Sequence, residues 1–152
     1  MNFNHSKQDE IYTNQDLVLS EAMKQINNHG FITAKLDNLD DKTTVVDIGC
    51  NDGVLLNNYS KRVSNVVGIE PSDAFKKIKN KKIKVINKFF NESTVNIFLK
   101  KFSKAKIITI TNVLAHVDNI NNLIKNKKKI LHSNGNLIIE VPYILDMLNR
   151  ST

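Results

Sequence analysis

Five short apolar runs, separated by polar segments with helical spacing, constrain the fold of this chain most. The runs cover residues 44–48, 66–69, 83–86, 107–110 and 137–141. They are rich in β-branched residues, as is typical of strands buried on both faces of a parallel sheet. Strands that alternate with helices are joined by right-handed crossovers. The sequence therefore predicts an α/β fold: a doubly wound, mostly parallel, Rossmann-like sheet that stops after about five strands.

The segments before and between these runs carry helix signals. In the first segment, apolar residues recur at i, i+3, i+4 and i+7, with Asn14 as a predicted N-cap and Gly30 just beyond the end. The last segment places Ile120 and Ile124 on its apolar side and is expected to end at residues 134–135. The predicted helices cover residues 15–29, 54–62, 72–79, 92–102 and 120–131.

Composition limits the class of protein. The length of 152 residues and the hydrophobic share of 41% predict one domain over residues 1–152, with a flexible N-terminus over 1–13. Cys50 is the only cysteine, so we expect neither disulfides nor a metal site, and a cytoplasmic location. No apolar stretch reaches the length of a membrane span, and the polar N-terminus is unlike a signal peptide. We expect no membrane partner.

The net charge of +7 raises the question of nucleic-acid binding. Nearly all of the positive charge is lysine, and Arg62 and Arg150 are the only arginines. Arginine is the residue that makes bidentate contacts with phosphates and bases. We therefore interpret the lysine runs at 76–84 and 125–129 as solvated ends of helices and strands, and we do not expect a nucleic-acid partner.

A glycine turn and a distant carboxylate predict a nucleoside site. Ligands of doubly wound sheets bind beyond the carboxyl ends of the strands. The first run ends in VVDIGCNDG, where Gly49 allows a tight turn and Gly53 close packing at the helix start. Glu70 ends the second run about 20 residues later, the spacing at which an acid reaches a ribose diol in nucleoside-binding folds.

The same turn favours S-adenosylmethionine (SAM) over a dinucleotide. Asn51 stands where the dinucleotide fingerprint has the glycine that approaches the pyrophosphate, and Asp52 follows at the start of the helix. A carboxylate there repels a diphosphate, but it suits a ligand with cationic amino and sulfonium groups. The predicted cofactor is SAM.

The motifs resemble those of class I SAM-dependent methyltransferases. The quoted turn and VVGIEPSDAF are similar to the first two motifs of that family, and the resemblance covers residues 44–148. Further along the chain, INKFF, TNVLAHVDNI and GNLIIEVPYILDML are similar to the C-methyltransferases that act on nucleotide-linked deoxysugars. The resemblance implies a small-molecule acceptor, and a nucleotide-linked sugar as one candidate.

The resemblance also implies roles for individual residues. Glu70 would bind the ribose diol, Phe89 or Phe90 would neighbour the adenine, and Asn112 would lie beside the transferred methyl group. His116 matches a histidine near the reacting centre and is the predicted catalytic base. The full set of predicted cofactor-binding residues is Asp47, Gly49, Cys50, Asn51, Asp52, Gly53, Glu70, Pro71, Phe89, Phe90, Asn112 and Val113.

The chain also departs from the sugar-methylating group. Those relatives have an N-terminal zinc domain rich in cysteine, whereas this sequence has one cysteine. After the EVPY stretch they have a tyrosine-and-histidine motif and a further domain, and residues 143–152 contain neither. Three hypotheses follow: an active methyltransferase, a SAM-binding fragment or accessory subunit that is inactive alone, and an RNA methyltransferase. We also expect residues 137–141 to form an exposed sheet edge. Either the apolar tail at 143–148 covers this edge, or the chain self-associates or binds a partner domain through it.

Overall fold

The computed structural model of the protein describes residues 39–141. The predicted helix at 15–29, the predicted flexible N-terminus at 1–13 and the tail at 143–148 lie outside the described residues. The prediction of a single domain over the whole chain stays a prediction. No helix in the described part is long and apolar enough to cross a membrane.

The described residues form five strands that alternate with helical segments. In chain order these are β1 (Thr44–Ile48), α1 (Val54–Tyr59), β2 (Asn65–Ile69), a 3₁₀ turn (Asp73–Lys77), β3 (Ile83–Ile86), α2 (Glu92–Lys101), β4 (Ala105–Thr111), a second 3₁₀ turn (Leu114–His116), α3 (Ile120–Ile130) and β5 (Leu131–Glu140).

All four strand pairs of the sheet are parallel, and the strand order is β3-β2-β1-β4-β5. The chain moves outward from β1 to β3, then returns to the other side of β1 and moves outward again. Strand order therefore reverses between β1 and β4, which is the topological switch point where ligands of such sheets bind. The predicted α/β, doubly wound, parallel sheet is confirmed.

The two faces of the sheet bury different sets of side chains. Successive residues of a strand point to opposite faces. Val46 and Ile110 belong to one apolar cluster with Phe98 of α2 and Leu123 of α3. On the other face, Leu56 of α1 lies over β2. Because both faces are covered, all five residues of β1 are buried.

The segment after β2 is a 3₁₀ turn, so the predicted helix at 72–79 is wrong in type and length. Ser72 does cap it, and its Oγ accepts a hydrogen bond from the Ala74 N–H at 3.2 Å. No residue of the turn is buried. A short helix without an apolar face to pack gains little tertiary stabilisation, and the chain leaves helical geometry at Ile78.

The end of α3 also differs from the prediction. The helix ends at Ile130, and Leu131 is already extended and pairs with Ala105 in β4. Regular pairing resumes at Asn136 after a register shift, so the expected stop at 134–135 is an irregularity within β5. The helix buries Leu123, Asn126 and Ile130, whereas Ile120 and Ile124 are exposed.

Candidate cofactor-binding site

The turn after β1 is held by three residues in left-handed backbone geometry. Gly49, Asn51 and Gly53 have φ angles of 78°, 50° and 77°. The Gly49 N–H donates to the Ile69 carbonyl of β2 at 2.8 Å. A Cβ atom on Gly49 would overlap Cγ2 of Val113, which follows β4. The predicted turn residues therefore meet the segment after β4 at the switch point.

Asp47, inside β1, is a buried carboxylate that no cation neutralises in the described residues. It is 4% exposed, and the Thr109 hydroxyl of β4 donates to its Oδ1 at 2.6 Å. Burial raises the pKa of Asp47 to about 7; the hydrogen bond from Thr109 opposes this and the charge of Glu70 adds to it. Burial and the charge of Asp47 also raise the pKa of Tyr59, whose buried hydroxyl has no hydrogen-bond partner within residues 39–141.

Glu70, directly after β2, is fixed by backbone donors on both carboxylate oxygens. The Asn51 N–H donates to Oε2 at 2.9 Å, and the Ser72 N–H donates to Oε1 at 2.8 Å. Burial raises the pKa of Glu70, but the hydrogen bonds from Ser72 and Asn51 outweigh it and hold the pKa below its usual value. Each carboxylate oxygen has a second acceptor position, so the group can still accept two hydroxyl donors.

Asn87, directly after β3, was not among the predicted site residues. Its Nδ2 donates to the carbonyl oxygens of Glu70, Pro71 and Ser72 at 2.7, 3.1 and 3.2 Å. Thr109 was missed as well. Both residues carry a signal in the sequence, since Asn87 is the first polar residue after an apolar run and Thr109 interrupts another.

Three further predicted residues differ in exposure. Cys50 is buried against Gly68, and burial, with the charges of Asp47 and Glu70, raises the pKa of its thiol to about 12. Asp52 is half-buried and Pro71 is exposed. The Cys50 thiol thus packs against β2, while the Asp52 carboxylate is accessible from solvent.

The two predicted aromatic residues lie in different environments. Phe89 is 74% exposed, whereas Phe90 packs against the apolar core. The Thr94 hydroxyl donates to the Phe89 carbonyl at 2.6 Å, which fixes the backbone next to the exposed ring. Of the two, Phe89 has the ring surface available to stack on a planar ligand.

The segment after β4 holds the remaining predicted residues. Asn112 is left-handed, with φ at 57°, and its N–H donates to the Glu140 carbonyl of β5 at 3.0 Å. Val113 is half-buried against Gly49. His116 ends the second 3₁₀ turn and is exposed. The structure joins the turns after β1, β2 and β4 through direct contacts, and the imidazole of His116 is open to solvent.

The charges of the side chains at this edge of the sheet determine which ligands it can bind. Asp47, Asp52 and Glu70 are carboxylates, and the segments 49–53 and 70–72 contain no lysine or arginine. Such an edge suits a cationic ligand with a diol and disfavours a diphosphate. Within the described residues, no group of three or more His, Cys, Asp or Glu side chains could hold a metal ion.

A doubly wound parallel sheet with a glycine turn after β1 and a fixed acid after β2 is typical of nucleoside-binding α/β domains. The sequence profile of the family described as "Methyltransferase domain" matches residues 21–151. The chain therefore belongs to the methyltransferase domain family. No curated protein matches the sequence significantly.

Solved structures share the fold at low sequence identity. The plantazolicin methyltransferase BpumL, solved with S-adenosylhomocysteine (SAH) and a pentazolic desmethylPZN analog, superposes with a TM-score of 0.63 at 17% identity, over 97% of this chain and 58% of that one. YcgJ from Bacillus subtilis gives 0.60 at 14% identity, over 78% and 56%. The sugar N-methyltransferase KedS8 from Streptoalloteichus sp. gives 0.55 at 16% identity, over 68% and 42%. The matched part of this chain spans 38–60% of the length of such structures.

Proposed function

We propose that this domain binds SAM at the carboxyl ends of β1 and β2 and directs its methyl group to a small-molecule acceptor. The observation that carries the proposal is the Glu70 carboxylate, fixed by N–H groups of Asn51 and Ser72 with acceptor positions left for a ribose diol. The presence of SAH in the similarly folded BpumL supports the choice of cofactor.

The residues present fit SAM in charge as well as in hydrogen bonding. Asp52 lies in the turn that would receive the methionine part, and Asp47 precedes that turn. SAM carries a cationic amino group and a sulfonium in this part, and a cation there would favour the ionised form of Asp47. The exposed ring of Phe89 would stack on the adenine. When bound, SAM supplies an activated methyl group, and alignment with the acceptor can lower the barrier by roughly 7–11 kcal/mol.

The acceptor side is proposed to lie after β4. Asn112 would contact the reacting centre, and the exposed imidazole of His116 would remove a proton from the acceptor. A sugar is the proposed acceptor, nucleotide-linked as the sequence motifs imply, and the similar fold of a sugar N-methyltransferase is consistent with it. Action in the cytoplasm remains part of this proposal and rests on the single cysteine.

Calorimetric titration with SAM and SAH tests the cofactor assignment. Glu70→Ala should weaken binding by about 1–3 kcal/mol, because two charge-assisted hydrogen bonds to the ribose are lost. Glu92→Gln is a matched control, since Glu92 is exposed and pairs with Lys129. An unchanged affinity of Glu70→Ala would contradict the ribose assignment, and tighter binding of NAD than of SAM would contradict the choice of cofactor.

A further inference from the structure

The side chain of Asn87 gathers three consecutive carbonyl groups around one nitrogen. Its Nδ2 lies 2.7 Å from the Glu70 carbonyl oxygen, 3.1 Å from that of Pro71 and 3.2 Å from that of Ser72. Three acceptors around one atom fix it as the amide nitrogen, since an oxygen there would face three oxygens. Asn87 therefore holds the whole turn that follows β2.

One of these contacts is linked directly to the Glu70 carboxylate. The Pro71 carbonyl and the Ser72 N–H belong to the same planar trans peptide, so they point in opposite directions. When Asn87 holds the Pro71 oxygen on one side, the Ser72 N–H is turned to the other side. There it donates to Oε1 of Glu70 at 2.8 Å.

From this geometry we infer that Asn87 is a positioning residue for Glu70. Through the 71–72 peptide, Asn87 fixes the donor that orients the carboxylate for a ribose diol, an inference that rests on the proposed function. The second carboxylate oxygen is held independently by the Asn51 N–H. Asn87 thus brings the end of β3 into a network that already joins the turns after β1 and β2.

The same network bears on the charge of the carboxylate. Burial raises the pKa of Glu70, and the hydrogen bonds from Ser72 and Asn51 lower it by more. Loss of Asn87 frees the 71–72 peptide to rotate and weakens one of these donors. The carboxylate then has a higher pKa and a less fixed orientation, and both changes weaken its hydrogen bonds to a ribose diol.

A double-mutant cycle on SAH affinity tests the inference. Calorimetry would compare the wild type, Asn87→Ala, Glu70→Gln and the double variant. We expect Asn87→Ala to lose roughly tenfold in affinity, as for one hydrogen bond to a charged group. The double variant should bind like Glu70→Gln alone, because Asn87 acts through Glu70. Independent, additive losses would overturn the inference, and so would unchanged affinity in a folded Asn87→Ala variant.

Asn80→Ala is the matched control. Asn80 lies in the same connection between β2 and β3. Its Nδ2 is also a hydrogen-bond donor, but to side-chain acceptors: Oδ1 of Asn57 at 3.2 Å and Oγ of Ser60 at 2.8 Å. Within residues 39–141, the hydrogen bonds of the Asn80 side chain run to Asn57, Ser60 and Lys82, and none reaches the turn at 70–72. We expect its SAH affinity to equal that of the wild type. An equal loss in both variants would mean that the effect is general loosening of the connection.

A ligand-free measurement separates this inference from the proposed function. In Asn87→Ala, hydrogen exchange at the Ser72 amide should accelerate and the NMR-measured pKa of Glu70 should rise, whereas Asn80→Ala should leave both unchanged. If the alanine variant does not fold, Asn87→Ser retains one donor and should give intermediate values. Failure of the wild type to bind SAH would contradict the proposed function. A Ser72 amide that is equally protected from exchange in all variants would contradict the positioning role of Asn87.

Discussion

Replacing Asp47 by asparagine should make the ligand-free protein more stable at alkaline pH. Asp47 is 4% exposed, and burial raises its pKa from the ordinary value of 3.8 to about 7. Asparagine has nearly the same shape, and its side-chain oxygen can still accept the hydrogen bond that Thr109 donates at 2.6 Å. The substitution therefore removes the charge and leaves the packing in place.

The magnitude follows from proton linkage. The folded protein keeps the Asp47 proton up to about pH 7, whereas the unfolded chain releases it from about pH 3.8. Between these values the unfolded state binds fewer protons, so the free energy of unfolding falls as pH rises, and the loss is complete above about pH 7. At about 1.4 kcal/mol for each pKa unit, the loss amounts to about 4 kcal/mol, to order of magnitude.

Urea denaturation at several pH values between 4 and 8 measures this effect. The difference in unfolding free energy between Asp47→Asn and the wild type should be small near pH 4 and should grow to a few kcal/mol by pH 8. Other titrating groups are shared by both proteins and cancel in the difference. Thr109→Val removes the hydrogen bond that lowers the pKa of Asp47, so the difference in unfolding free energy should develop at higher pH. Thr109→Ser keeps the hydroxyl and should leave that pH unchanged. A difference that stays constant across this range would refute the account of Asp47.

Two further predictions concern the turn and the surface. Gly49→Ala should destabilise the fold by about 2 kcal/mol or more in urea denaturation, because φ is 78° there and the new Cβ overlaps Val113. Adding Val113→Ala should restore only the unfolding free energy that is lost to the overlap. Full recovery of stability would contradict a cost from the left-handed backbone at Gly49. The lysine runs should give only weak, non-specific RNA binding at physiological salt, with Kd values of about 10⁻⁴ to 10⁻⁶ M in fluorescence anisotropy titrations. Nanomolar, sequence-selective binding would instead favour an RNA methyltransferase.

The strands were predictable because their signal is local and strong. Four of the five apolar runs became strands within two residues of the expected bounds, and the turn after β1 contains the predicted glycines. The fifth strand begins six residues earlier than expected, at Leu131. Its start depends on pairing with Ala105, a contact between residues distant in sequence. The apolar pattern of α3 could not reveal that Asn126 faces inward while Ile120 remains exposed.

For the candidate site, the sequence indicated which residues follow the strands but not which of them are hydrogen-bonded to one another. The spacing of Gly49 and Glu70 predicted that the turns after β1 and β2 lie together, and the structure joins these turns through the Asn51 N–H. Spacing along the chain gives no information on partners across the sheet, so Thr109 and Asn87 were missed. Each acts through a side-chain hydrogen bond to a different strand or turn, and only the strand order brings those partners together.

The packing of Cys50 makes the turn after β1 observable by thiol chemistry. The only cysteine of the chain lies in that turn, 4% exposed and with its pKa raised to about 12, so the native thiol resists alkylation and oxidation. A thiol reagent can then modify the protein only when the turn opens, and the rate of modification reports how often that happens. A ligand seated on the turn would slow the reaction in proportion to its occupancy. Cysteine labelling thus offers a probe of binding that needs no acceptor, no turnover and no introduced dye.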